Sequence, residues 1–111
     1  MNDIQHRDLA AGRWHALSLG EQLGNIGSEI SRASKWTGRN SDLARGAFER
    51  ALELFDLTLD DPRHRQSPAR LRELARAREV VVDFFDGSNE YRSTAADLQK
   101  YFDAYALAVR P

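Results

Sequence analysis

Arg78, Glu79 and Asp83 put one guanidinium and two carboxylates on neighbouring turns of a single segment. Arg63, Arg65, Arg70, Arg72 and Arg76 crowd the stretch just before them. A guanidinium fork grips a carboxylate or a phosphate with two parallel hydrogen bonds. Three readings follow for the cluster. It is a solvated face paired with Glu73, Glu79, Asp83 and the acids of the preceding helix; or a patch at Arg63, Arg65, Arg72 and Arg76 for the phosphates of RNA or a nucleotide; or a surface for a partner protein. Only Lys35 and Lys100 are lysine, so a compositional preference for arginine also accounts for part of the cluster. Arg78 is the sharper case, because helical spacing places it on the apolar stripe of its segment. An unpartnered buried guanidinium costs several kcal/mol. Arg78 is therefore expected to pair internally, with Glu29 or Asp83, or to face a polar cleft.

Other chemistries find little material. There is no cysteine, which removes disulfides and thiolate ligands and fits a reducing compartment. His6, His15 and His64 fall in segments read as arm or loop, and no Glu-x-x-His pair of the di-iron type occurs. No metal and no cofactor is expected. The serines sit at helix starts or among small residues, and no glycine loop has the strand-to-helix setting that phosphate binding needs. Tyr91, Tyr101 and Tyr105 read as the rim of a core rather than a base-stacking platform.

Four amphipathic segments must position these residues. Ser18-Leu19-Gly20-Glu21 is a capping box. Leu19, Leu23, Ile26, Ile30 and Ala33 then follow at helical spacing as one apolar stripe, and Gly38 closes the helix. Gly20, Gly24 and Gly27 lie beside that stripe. Each glycine costs a helix about 1 kcal/mol against alanine, so the three are expected at a close helix–helix approach, within the chain or across a dimer. A second helix runs from Ser41 and Asp42 to about Leu59. Its inward face is Leu43, Ala44, Ala47, Phe48, Ala51, Leu52, Phe55, Thr58 and Leu59. Asp61-Pro62 ends it, and Arg63 to Gln66 read as a polar loop. Ser67-Pro68 opens the third helix, with Leu71, Leu74, Ala75, Val81, Val82 and Phe85 inward and Gly87 at its end. Thr94 and Asp97 start the fourth, whose apolar face is Leu98, Tyr101, Phe102, Tyr105, Ala106 and Val109.

Short connections make successive helices antiparallel neighbours. The expected fold is all-α: an antiparallel up-down four-helix bundle over 18–111, preceded by a short arm over 1–17 from which Trp14 and Leu17 pack on the bundle. A chain of 111 residues is one domain, long enough for a core without metal or disulfide support. Sixteen basic residues nearly balance seventeen acidic ones, so the whole molecule lacks the field of a general nucleic-acid binder. No apolar run approaches the roughly 20 residues of a membrane span. The first residues lack the apolar core of a signal peptide. A cytoplasmic protein without a membrane partner is expected.

Arg78-Glu79-Val80-Val81-Val82-Asp83-Phe84-Phe85 resembles the motif of the HEPN superfamily, small α-helical proteins that accompany minimal nucleotidyltransferases. That motif runs arginine, a polar residue, three mostly apolar residues, histidine, any residue, then Tyr or Phe. Arg78 matches the arginine and Phe85 the aromatic. Asp83 replaces the histidine and Glu79 the usual Asn. Ala44 to Leu59 resembles the preceding HEPN helix. The resemblance implies a homodimer with the motif at its two-fold cleft and Arg78 and Phe85 at the interface; Gly20, Gly24 and Gly27 join them as expected interface residues on their own spacing. Metal-independent RNA cleavage in that family relies on the arginine and the histidine. An aspartate, with a pKa near 4, does not exchange protons at neutral pH and repels phosphate. The expectation is a non-catalytic interaction protein partnering a nucleotidyltransferase-like or defence-associated protein, in the manner of a toxin–antitoxin pair. Two alternatives stand beside it: a divergent metal-independent ribonuclease using Arg78 with Asp83, Glu79 or His64, and a helical interaction bundle unrelated to HEPN. An Arg78 sealed within one subunit would count against both the ribonuclease and the family resemblance.

Overall fold

The computed structural model describes residues 10–108, and every regular element in that range is helical. After a helical segment over 10–15 come α1 (Leu19–Trp36), α2 (Ser41–Leu59), the short α3 (Pro62–Arg65), α4 (Pro68–Asp86) and α5 (Ala95–Ala108).

The starts follow from side chains that take up the free amides of a first turn. Ser18 and Glu21 form the reciprocal capping box expected of them. Asn40 caps α2, Ser67 caps α4 ahead of Pro68, and Thr94 exchanges hydrogen bonds with Asp97 at the head of α5. Gly38 takes a left-handed φ of 80° just past α1, a conformation that other L-residues adopt at a cost.

The core is built around α1. Leu19, Leu23, Ile26, Ile30 and Ala33 are all buried. α1 packs along both α2 and α5, while α4 packs on α2. Phe55 and Phe102 meet edge to face at 5.8 Å between ring centroids in the middle of this arrangement. Trp14 belongs to the same core and Leu17 packs against it. Val109 lies outside the described residues, as do residues 1–9.

Three expected inward positions face out instead. Leu43 is 47% exposed in the first turn of α2, before the core begins. In α4, Ala75 is exposed and Ala77 buried, so the inward stripe is Leu74, Ala77 and Val81. That stripe is turned by about one residue from the pattern read in the sequence. It moves Arg78 from the core to the flank of the helix. Tyr101 also stands partly in solvent on α5.

The glycine stripe divides. A Cβ at Gly27 would sit 3.3 Å from Cβ of Phe102, so Gly27 is where α5 closes on α1. Among the described residues a Cβ at Gly24 would meet nothing within 4 Å, so none of them makes the close approach expected there. Nothing in the structure explains a glycine at 24. Gly27→Leu is expected to lower stability by about 1–3 kcal/mol through overpacking. Gly24→Ala should raise it by up to about 1 kcal/mol through helix propensity. Urea unfolding of both variants checks the pair, and equal destabilisation would contradict it.

Candidate functional site

Two places in the fold gather polar side chains. One is the outer flank of α4, where the arginine motif lies. The other is the turn between α2 and α4, which the sequence reading treated as a plain loop.

On α4, each group of the motif already has a partner in its own subunit. Arg78 donates through Nε to Oδ1 of Asp56 at 2.9 Å, and more weakly through Nη2 to Oδ2 at 3.4 Å. Its side chain is 33% exposed. The partner is thus an acid on the wet face of α2, not Glu29 or Asp83. Glu29 is held between Arg32 and Arg50, the latter at 2.6 Å. Asp83 accepts the backbone amides of Glu90 and Tyr91 at 2.8 and 3.0 Å, and so ties the loop after α4 back onto the helix. Glu79 accepts the phenol of Tyr91 at 3.1 Å. Arg78 and Asp83 do not meet. Phe85 stands half-buried against Phe48 and Phe84, with centroids 5.5 and 4.8 Å away.

The remaining arginines scatter by partner. Arg63 joins Asp61 and the carbonyl of Leu17. Arg65 reaches the carbonyl of Leu59 at 3.3 Å, and Asp60 at 4.0 Å. Arg70 donates to Nδ1 of His64 at 3.4 Å. Among the described residues only Arg72 and Arg76, of the six, make neither an ion pair nor a side-chain hydrogen bond.

The turn between α2 and α4 is a buried polar cluster. Asp61 and His64 are sealed, although Asp61 is expected only to end α2 and His64 to lie in a polar loop; Asp61 caps the helical turn α3, and His64 is part of it. Asp61 caps α3 by accepting the amide of Arg63 at 3.0 Å. Its two oxygens also accept the Arg63 guanidinium at 3.1 and 2.6 Å and the Gln22 amide at 3.0 Å. Gln22 Nε2 donates as well to the carbonyl of Trp14. Its Oε1 accepts from Nε2 of His64 at 2.7 Å. Arg70 can only donate, so His64 carries its proton on Nε2 and accepts on Nδ1. Two further bonds complete the clamp on the arm: Trp14 Nε1 to Thr58 at 2.8 Å, and His15 Nε2 to the carbonyl of Leu57 at 2.9 Å.

Charge follows from these contacts. Burial would raise the Asp61 carboxyl, but the Arg63 and Gln22 side chains, the Arg63 amide and His64 outweigh it and hold the group far below the usual carboxylate range. Burial pushes His64 down; Asp61 opposes this, while Arg70, Arg63 and His15 add to it. His64 is therefore neutral at neutral pH. It is enclosed and bonded on both nitrogens, which suits a structural strut and not a proton shuttle. The signal that marks it in the sequence is Asp61-Pro62: an acid before a proline is the start of a helix as readily as the end of one.

A cleft of about 330 Å³ opens on the far side of α4, between α4 and α5. Its floor is Ala77, Val80, Leu98 and Phe102, and Glu73, Arg76, Asp97 and Tyr101 line its edges. The Tyr101 hydroxyl donates to Glu73. Burial, then that bond to Glu73, pushes the phenol well above its ordinary value, so it stays protonated.

Among the described residues no group of three histidine, aspartate or glutamate side chains is placed to hold a metal ion, and no helix is long and apolar enough to cross a membrane. No protein-family model, curated protein or solved structure matches this chain.

Two outcomes follow for the buried cluster. Asp61→Ala removes a helix cap and strands the buried Gln22 amide, which together cost about 3 kcal/mol. Urea unfolding followed by Trp14 fluorescence measures it, and a loss under about 1 kcal/mol would refute the clamp. His64 has a depressed pKa in the fold, so its contribution is complete above the unfolded value near 6.5 and is lost as pH falls below it. The urea midpoint is expected to drop between pH 7.5 and 5.5, with a smaller drop for His64→Gln. Identical pH profiles would contradict the assignment.

Proposed function

We propose that this chain is a non-catalytic interaction protein, folded as an up-down four-helix bundle and acting as a homodimer. One observation carries the non-catalytic part. The groups that a ribonuclease reading would use are bonded inside the subunit: Arg78 to Asp56, Asp83 to two amides of the following loop, and Glu79 to Tyr91. His64, the remaining candidate, is sealed at the far end of α4. General acid–base chemistry at neutral pH needs a group that titrates there and reaches substrate.

Support for self-association comes from one end of the molecule. Leu43 is exposed, and Phe48, Phe84 and Phe85 form an aromatic group beside a shallow groove of about 190 Å³. Arg45 lies over the Phe48 ring at 5.3 Å and pairs with Asp86 at 3.0 Å, which gives this apolar patch a polar rim. Interfaces of moderate affinity have this composition, with aromatic and Arg residues enriched. Phe85 is the aromatic of the HEPN-like motif. By that resemblance the further partner is a nucleotidyltransferase-like or defence-associated protein, but the dimer does not depend on it.

Sedimentation equilibrium is expected to show a dimer at micromolar concentration. Leu43→Lys and Phe85→Glu should each shift it to monomer, with Leu43→Lys keeping the wild-type melting temperature. A monomeric wild-type protein would overturn the dimer. Single-stranded RNA incubated with the protein is expected to remain intact; cleavage that disappears in Arg78→Ala would overturn the non-catalytic assignment.

A further inference from the structure

α4 and α5 follow one another in the chain, yet their backbones stand apart and meet through side chains such as Tyr101 and Glu73. The cleft left between them is at the lower end of the roughly 300–1,000 Å³ that small-molecule sites occupy. That size accommodates a ligand such as a single large amino acid. The floor of Ala77, Val80, Leu98 and Phe102 is apolar throughout, and the Tyr101 ring stands at its edge against Phe102, 5.2 Å between centroids.

The charges at the edge are of both signs and do not neutralise each other. Arg76 makes no ion pair with Glu73 or Asp97, although all three line the same cleft, and its donors have no partner among the described residues. Glu73 accepts one hydrogen bond, from the Tyr101 hydroxyl, and Asp97 accepts one, from the amide of Thr94. An ionised carboxylate has room for about four. The cleft therefore offers unused donors on α4 and unused acceptors on both helices, above an apolar floor. A simple anion would satisfy Arg76 but meet two carboxylates. A simple cation would satisfy the acids but leave the guanidinium unused and repelling it.

We infer that the cleft between α4 and α5 binds a free α-amino acid with a large apolar side chain, its carboxylate on Arg76, its ammonium toward Glu73 and Asp97, and its side chain on Val80, Leu98 and Phe102. This assigns a ligand site to a face of the molecule away from the Leu43–Phe85 end, and it holds whether or not the protein dimerises there. Glu73 is kept in place by the Tyr101 hydroxyl, so Tyr101 acts as a positioning residue for the ammonium contact.

The test is a titration of uniformly ¹⁵N-labelled protein, read by amide shifts, with three probes: L-phenylalanine, phenethylamine (no carboxylate) and 3-phenylpropionate (no ammonium). L-Phenylalanine is expected to give saturable shifts confined to the stretches 73–80 and 93–102, in the millimolar range. Each analogue should bind about fivefold more weakly or worse, as expected for loss of a charge-assisted contact. Arg76→Gln should bring L-phenylalanine down to the level of phenethylamine and leave phenethylamine unchanged. Val80→Phe, which fills the cleft, should abolish all three. Arg76 and Val80 are not part of the sealed core, and an unchanged melting temperature verifies each variant. Equal affinity for the three probes, tightest binding by either analogue, shifts elsewhere, no saturable shift at millimolar ligand, or an Arg76→Gln variant that binds as wild type would each overturn the assignment.

Discussion

A carboxylate with no exposed surface can remain ionised only if its surroundings replace the water it has lost. Asp61 is that group here, and its replacements come from two separate parts of the chain, α1 and the turn α3. Gln22 belongs to α1, Arg63 to the turn that Asp61 itself caps, and His64 reaches it through Gln22. The arm is fastened to the same cluster, by the Trp14 carbonyl on Gln22 and the Leu17 carbonyl on Arg63. The clamp thus fixes where α2 stops, where α4 begins and how the segment before α1 lies. Such a network specifies one arrangement better than an apolar patch would, because any slip leaves a buried donor or acceptor unpaired.

That dependence explains what was and was not legible beforehand. The caps at Ser18, Ser67 and Thr94 and the apolar stripe of α1 are local patterns, and the sequence shows them; the cap of α2 is Asn40, one residue before the expected start at Ser41. The Asp61 cluster is not local: Gln22 and Asp61 lie 39 residues apart, and a lone glutamine in a helix gives no sign of being sealed. Asp61-Pro62 marks the helical turn that carries His64, but its burial depends on Gln22, 42 residues away. Arg78 misled in another way. The stripe of α4 could be drawn through residues 71, 74, 78, 81 and 85, or through Leu74, Ala77 and Val81. Alanine is too small to announce that it is the inward residue. The structure takes the second line, and Arg78 falls beside α2, where Asp56 meets it.

The Arg78–Phe85 stretch is held by contacts within the subunit. Asp83 has structural work: its two oxygens hold successive amides of the loop that leads to α5, where Asn89 and Arg92 take left-handed φ values of 56° and 55°. Left-handed backbone at a non-glycine residue carries a cost that neighbouring bonds must offset. Asp83, with the Asn89–Ser93 pair of hydrogen bonds, supplies them. A histidine at 83 would have one acceptor nitrogen when neutral, and could not take both amides.

The position of α5 follows from how that loop ends and from one glycine. With no side chain at 27, Phe102 comes up to the backbone of α1 and reaches Phe55 beyond it. α5 is drawn toward α1, and its contact with α4 suffers. The residues that α4 turns to the gap are Ala77 and Val80, neither long enough to span it. Larger side chains there would close the bundle as α1 and α2 close on each other. The cleft is therefore a consequence of a small residue on each of two helices, Gly27 pulling α5 inward and Ala77 failing to follow it. Its apolar floor stays open because the residues that would cover it, Glu73, Arg76 and Asp97, are charged and remain at the rim in contact with water.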